Sequence, residues 1–573
     1  MWFTSSSKEK ESKDQYATNA DELFNTSSNN STSLHSTTNE KDTKRPVSRT
    51  QRKLHNRHIQ LIAIGGSIGT GLYVTIGTTG LVNGGPLGLL LSYCISTLLT
   101  LLLTTAMGEI VCYAPFDSPF LSMAGRVVDE SFEVAASVNF WLMQALYVPF
   151  EITAVNTIIH YWRDDYSPAI TLCIQIAIYA AINLYAVRIF GEFEFVCSLL
   201  KLLLCIGLLI FTLVAMCGGV KGHSAFGFRN WHYGLFAANF ATGRLGQFQG
   251  FLTSLRMSSS FTCVGSEYLS MTAGEAVNPR RTLPIAYRTV LYRLVLFYIG
   301  GALCVSILVR YNDPGYITAA SENGSSPYVY AAKNLGITAL PDIINAVVLT
   351  SAFSAGCSYT YTSSRSMYNL ALKGYIPGFF RICTSRGIPI YCVFVSICFS
   401  LLSLLQLSSS SAKVLNYMVN LCTGAQILNY GFMCFIYIGF YRAVKAQGID
   451  RSKFTYRSWF QPYSIYFVTV MYWCIIGILG YPVFMPGKWT VDDFLFSYVM
   501  IFVSLAVFIC WKIIKRTKFV KPIDADLTSG LDEIEAHEFE YYQSLKDKNG
   551  QEGSEEDGEE PRSVIKRVFD WIF

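Results

Sequence analysis

Charge is what this sequence has least of. Only 15% of its 573 residues are Asp, Glu, Lys or Arg, while 51% are hydrophobic; a soluble globular chain carries roughly a quarter charged residues. The shortage is uneven, because residues 1–55 and the stretch from 519 onward hold much of the charge and the middle is a series of apolar runs. A water-soluble core is therefore excluded as the organising feature. Histidine is scarce too, at seven residues with none spaced as ligand pairs, so metal chemistry is not expected. The sixteen cysteines include no CxxC pair. Cys94, Cys173, Cys205, Cys304, Cys398, Cys434 and Cys510 stand singly within apolar runs, where a thiol behaves as a small hydrophobe. Met1 to Lys44 is polar throughout, which argues against a cleavable signal peptide and leaves membrane insertion to the first apolar run, near Ile59. No local grouping of Ser, His and Asp marks a hydrolase, and no clustered dyad marks another enzyme.

What is there is a succession of apolar spans. About twelve have membrane-crossing length, near 59–80, 87–113, 132–161, 168–188, 194–217, 249–274, 285–309, 340–370, 388–407, 413–441, 462–484 and 492–514. Several carry Gly, Pro or a charge in mid-span, which a packed helical bundle tolerates and a plain lipid anchor avoids. The chain therefore divides into a disordered tail (1–55, rich in Ser, Thr, Asn, Lys and Glu), a transmembrane domain (56–518) and a C-terminal tail (519–573). Basic residues set the orientation. Lys44 to Arg57, then Arg280, Arg281 and Arg288, then Lys373, Arg381 and Arg386, then Arg442 to Arg457, and finally Lys512 to Lys521 all fall on one side. That side is read as cytosolic, with both termini on it. Adjacency of Lys44–Arg57 to a span points to lipid headgroups rather than nucleic acid. Beyond Pro522 the chain turns acidic and reads as a solvated regulatory tail, with Ser563 to Phe573 as a short surface helix. Lys8, Lys10, Lys13, Lys41 and Lys44 stand among Ser and Thr, where ubiquitylation and the endocytic machinery are expected to act. Asn323 begins a glycan acceptor triplet in an outside loop, whereas those at Asn25 and Asn30 lie in the cytosolic tail.

Two spans carry chemistry. The first contains Gly65-Gly66-Ser67-Ile68-Gly69-Thr70-Gly71, and each glycine weakens a helix by roughly 1 kcal/mol relative to alanine. An unwound stretch there offers N–H groups and a positive half-helix end to an anion such as an amino acid's carboxylate. Close helix packing through small residues explains the same cluster equally well. The sixth reads Ser258-Ser-Ser-Phe261-Thr-Cys-Val-Gly265-Ser-Glu267. A glutamate in hydrocarbon costs about 3 kcal/mol or more unless paired or protonated, so Glu267 is either functional or a structural tie between helix ends.

These two patterns resemble the fungal amino-acid permeases, the yeast branch of the amino acid–polyamine–organocation superfamily. The residues that carry the resemblance are GGSIGTGL in the first span and SEYLSMTAGEAVNPRRTLPIA following Phe261. Further ordered matches are Gly108-Glu109, VRIFGEFEF at 187–195, GFRNW at 227–231, YNDP at 311–314, SSRSMYNLALKGYIPGFF at 363–380 and RAVKAQGI at 442–449. VPFEITAVNTIIHYW at 148–162 and LPDIINAVVLTSAFSAG at 340–356 resemble the proline-permease group. The resemblance implies an all-α fold of two inverted five-helix repeats with broken helices one and six, plus two extra helices. It implies that Thr70 and Gly71 receive the substrate carboxylate, that the Ile68 carbonyl meets the ammonium, that Phe261 is an aromatic gate and that Gly265 marks the break.

Lys201, nine and seven residues after Glu192 and Glu194, either snorkels to the cytosolic interface or, as in proton-coupled relatives, exchanges a proton on the fifth helix. Glu109, Glu151 and Glu267 compete for that role, and Glu151 is alternatively a selector of substrate. Three departures from the family pattern stand out: Tyr73 and Thr75 where Phe and Gly are usual, Cys357 for an asparagine in the eighth span, and a Trp571-Ile572-Phe573 ending without cysteine. The function implied is uptake of neutral amino acids, including proline, across the plasma membrane by alternating access, with the proton as coupling ion and no other cofactor. A basic amino-acid permease is the alternative within the family. A non-transporting sensor is the alternative outside it, although such sensors tend to carry a much longer N-terminal domain.

Overall fold

The computed structural model describes residues 69–543 apart from 117, 164, 186, 263–265, 274–275, 277, 324, 385–386, 408–410, 533, 537 and 540–542. The expectations for Ile68, Gly265, the N-terminal tail and its lysines, Asn25, Asn30, the Asn323 side chain and the 563–573 helix lie outside the described residues.

The described residues are helical, with no strand among them. Eight helices are long and apolar enough to cross a membrane, and they account for more than eight crossings. The first, Gly71–Tyr113, runs 43 residues, about 65 Å as a helix against a hydrocarbon core of about 30 Å. It is two helices: α1 (Gly71–Leu81, wound as a π-helix) and α2 (Val82–Tyr113), with the chain turning at Gly85. Gly85 has φ 71°, and a Cβ there would sit 2.6 Å from the Ala237 amide nitrogen, so only glycine fits. Pro86 then opens the next helical stretch, where its missing N–H costs nothing.

The remaining elements follow in order. After α3 (Pro119–Val127) come α4 (Glu130–Ile159), α5 (Pro168–Tyr185) and α6 (Val187–Met216). Asp129 caps α4 through the Ser131 N–H, and Glu130 and Glu133 complement the positive helix start. The sixth span is interrupted: α7 (Gly243–Phe261) ends where Thr262 leaves helical geometry at ψ 65°, and α8 (Ser266–Thr272) follows. Then come α9 (Pro279–Leu308) and two short helices, α10 (Pro314–Asn323) and α11 (Pro327–Asn334). The chain continues through α12 (Leu340–Leu372), α13 (Ile390–Leu407), α14 (Ser411–Ala446), α15 (Tyr463–Gly477) and α16 (Val491–Lys515). The two shorter apolar helices and the interrupted one fall where the sequence predicts the other crossings. The all-α polytopic architecture is therefore as expected.

Burial sorts these helices. The apolar windows of α4 and α14 are 89% and 83% buried, whereas those of α6, α13 and α16 are 28%, 33% and 17%. The outer helices show Leu203, Ile210, Leu213, Phe502, Ile513 and Ile514, a liability in water and the right surface for lipid. Between α2 and α7 the Ser92–Ser254 and Ser96–Ser258 hydroxyl pairs, at 2.9 and 2.8 Å, join small residues at a close crossing.

The C-terminal segment departs from its sequence reading. It is not simply solvated, because Leu527 and Ile534 are buried. Val520 N–H donates to Val128 O, the Gln447 side chain donates to Ala525 O at 2.6 Å, and Arg126 and Arg280 pair with Asp526, Glu535 and Glu538. Acidic residues that read as a solvating run are partners for basic helix ends, with apolar anchors among them. Leu527→Ala is expected to lower stability by about 2–4 kcal/mol, seen as a lower melting temperature of the purified protein. Asp526→Asn is expected to change it by less than about 1 kcal/mol, because that ion pair is partly exposed.

Candidate functional site

The residues leading into α1 are held by a carboxylate from α4. Thr70 is buried, and its Oγ1 donates to Glu151 Oε2 at 3.1 Å. A Cβ on Gly69 would lie 2.9 Å from Glu151 Oε1, so the bare backbone at 69 is what lets the carboxylate approach. On its other side α1 meets the end of α7. A Cβ on Gly71 would run into the Phe261 ring, 2.9 Å from Cγ, and that ring lies 5.9 Å from Phe150. Thr70, Gly71, Phe261 and Glu151 thus form one site made by α1, α4 and the last residue of α7.

The first departure noted in the sequence, at Tyr73 and Thr75, has contacts here. Thr75 Oγ1 donates to the Gly71 carbonyl at 2.8 Å, taking up an acceptor in the π-helical turn, and Tyr73 OH donates to the Lys201 carbonyl at 3.1 Å. The second, Cys357, is buried and accepts from Asn183 Nδ2 at 3.9 Å. A thiol at that position is a weak acceptor.

The crevice beside Thr70 is lined by Val74, Thr75, Phe150, Ala154, Thr157 and Leu415 and has about 10 Å³ of free space, room for one water at most. The site offers a hydroxyl and backbone at a helix start, a buried carboxylate and an aromatic cover. That set matches the carboxylate, ammonium and apolar side chain of a zwitterion.

Glu267 stands nearby in a second group. Gln426 Nε2 of α14 donates to Glu267 Oε1 at 2.9 Å, and Tyr147 OH donates to Gln426 Oε1 at 3.4 Å. Tyr147 stacks on Tyr359 with centroids 4.8 Å apart and lies one turn before Glu151 on α4, so both carboxylates abut the same face of that helix.

Lys201 does not snorkel. It is fully buried in α6, with Nζ 3.7 Å from Glu194 Oε1, and Glu194 Oε2 accepts from Ser354 Oγ of α12 at 2.5 Å. Lys201 also lies within Coulombic reach of Glu151. The Glu194–Ser354 contact was not singled out from sequence. Its only local signal is the seven-residue spacing of Glu194 and Lys201, two turns along one helix face.

Glu109 belongs elsewhere. It is fully buried at the end of α2 and receives Arg451 Nε and Nη2 at 2.7 and 2.8 Å, Tyr437 OH at 2.9 Å and Ser458 N–H at 2.8 Å. The structure does not bring it to Thr70.

Comparison with known proteins gives a consistent result. The profile described as amino acid permease matches residues 58–523. A general amino acid permease of Saccharomyces cerevisiae is 46% identical over 503 residues, covering 86% of this chain and 84% of that protein. A proline-specific permease of Emericella nidulans is 34% identical over 534 residues, 91% and 94% of the two chains. A lysine-specific permease of Saccharomyces cerevisiae is 34% identical over 493 residues, 85% and 79% of the two chains.

Proposed function

The chain belongs to the amino acid permease family, and we propose that it imports amino acids together with protons across the plasma membrane by alternating access. The observation that carries this reading is the meeting of Thr70, Gly71 and Phe261 beside the interruption of the sixth span. The substrate carboxylate docks on the start of α1, its ammonium faces the Thr70 hydroxyl and Glu151, and Phe261 with Phe150 covers it. The buried carboxylate at the site supports a cationic partner, and the ammonium of any amino acid supplies one. Neutral amino acids, including proline, are the substrates we favour, in keeping with the proline-specific relative. The chain performs no chemistry on its cargo, and the proton is the only coupling ion required.

Orientation follows from the basic ends. Lys373, Arg451 and Lys512 pair with Glu133, Glu109 and Asp129 at helix ends on one face of the bundle, which we assign to the cytosol with both termini. The N-terminal lysines then meet the ubiquitylation machinery.

In cells lacking their own permeases, expression of this protein is expected to give labelled-proline uptake several-fold higher at pH 5 than at pH 7. A protonophore is expected to abolish it, and protonophore-insensitive uptake removes the symport reading. In the same assay, unlabelled alanine is expected to compete better than arginine. Stronger competition by arginine favours the basic-permease reading, in which Glu151 pairs with a cationic side chain. Signalling in response to amino acids without uptake favours a sensor.

A further inference from the structure

The site at Thr70 leaves one buried charged cluster without a role. Glu194 and Lys201 lie two turns apart on α6, and both are buried. Tyr73 of α1 donates to the Lys201 carbonyl, and Ser354 of α12 donates to Glu194. The pair therefore sits between the helix that binds substrate and the helix packed along α4. Facing it are Tyr73 from α1, Glu151 from α4, the Cys197 thiol from α6 itself and the Cys357 thiol from α12.

We propose that the transported proton is carried on Glu194, with Lys201 remaining an ammonium throughout the cycle; this rests on the proton-symport reading. The step is H⁺ + Glu194–COO⁻ ⇌ Glu194–COOH, with the proton taken from outside and released inside. The charge count selects the carboxylate. One ammonium stands among two carboxylates, Glu151 and Glu194. Stripping Lys201 of its proton leaves two buried like charges with only hydroxyl donors, from Ser354 and Thr70, to offset them, which a low-dielectric interior penalises heavily. Adding a proton to a carboxylate leaves one ammonium facing one carboxylate.

Between the two carboxylates, geometry favours Glu194. Its Oε1 is 3.7 Å from Lys201 Nζ and has no hydrogen bond, so the ion pair is incompletely made and one oxygen is open to a proton. Glu151 takes the Thr70 hydroxyl and faces the substrate. Through Tyr73, two residues beyond Gly71, the protonation of Glu194 bears on the segment that holds the substrate carboxylate. That link is the means by which proton and amino acid bind in concert.

The test uses purified full-length protein in liposomes. Accumulation of labelled substrate driven by an imposed pH gradient is compared with exchange against preloaded unlabelled substrate, which needs no net proton movement. Glu194→Gln, which mimics the protonated carboxyl, is expected to lose at least ten-fold of gradient-driven accumulation while still exchanging label. Accumulation equal to the parent overturns the assignment and leaves symport standing. A parent that ignores the gradient overturns symport and this assignment together. If Glu194→Gln is not recovered folded, Ser354→Ala decides. It removes the Ser354 hydroxyl that Glu194 accepts from, so the pH profile of uptake is expected to move while exchange persists. An unmoved profile overturns the proposal.

Discussion

Replacing Gly71 by alanine is expected to lower amino-acid uptake about 100-fold at unchanged surface abundance. The new methyl would fall within the Phe261 ring, 2.9 Å from Cγ, a separation that real side chains do not tolerate. Phe261 cannot yield freely, because it is the last helical residue of α7 and its ring lies against Phe150. The ring is displaced by about an ångström, and displacements of that size cost catalysts roughly two orders of magnitude when they fall on a positioning group. Overpacking alone costs about 1–3 kcal/mol, which a transporter with a large buried core survives, so the protein still reaches the surface. Shortening the obstacle tests the cause: Phe261→Leu in the Gly71→Ala background is expected to restore part of the lost uptake. Gly207→Ala is the control, since nothing lies within 4 Å of a Cβ there and its uptake is expected to match the parent. Full activity in Gly71→Ala would mean that substrate does not pass between α1 and Phe261.

The same glycine shows what a sequence can mark. Gly69 and Gly71 are conspicuous as helix-weakening residues inside an apolar span, whether for binding or for close packing, and the structure sets them against Glu151 and Phe261. Long apolar runs report crossings almost directly, because lipid enforces length and composition together. Partnerships across the bundle leave no such trace. Thr70 and Glu151 are 81 positions apart, and Ser354 and Glu194 are 160 apart. One sequence has no periodicity that joins them. The turn at Gly85 is, by contrast, legible: it falls in the gap that the sequence leaves between the spans near 59–80 and 87–113. The C-terminal segment is hidden by its own charge: Leu527 and Ile534 are few among acidic residues, and composition alone does not reveal that they dock.

Removing the Arg451 side chain, as in Arg451→Leu, is expected to destabilise the protein by about 3–5 kcal/mol and to reduce its surface abundance sharply. The cause is the carboxylate left behind. Glu109 is fully buried and takes two hydrogen bonds from the guanidinium, with Tyr437 OH and Ser458 N–H completing its shell. Two neutral donors do not offset a buried anion, whereas an apolar replacement of both partners leaves no charge to solvate. The double variant Glu109→Leu/Arg451→Leu is therefore expected to recover most of the lost stability, measured as melting temperature in detergent. That variant also settles a question of mechanism, because Glu109 is one of the carboxylates from which a proton carrier can be drawn. Its four donors tie the end of α2 to α14 and the segment before α15, and none of them reaches the Thr70 site. A proton carrier must be free to lose its charge during the cycle, and a carboxylate held by a bidentate arginine gives that charge up only at the cost of the clasp. Uptake that keeps its pH dependence in the double variant accordingly removes Glu109 from the proton path and leaves it as the tie between these helix ends. Uptake that becomes pH-independent returns the proton to Glu109 and takes it from Glu194.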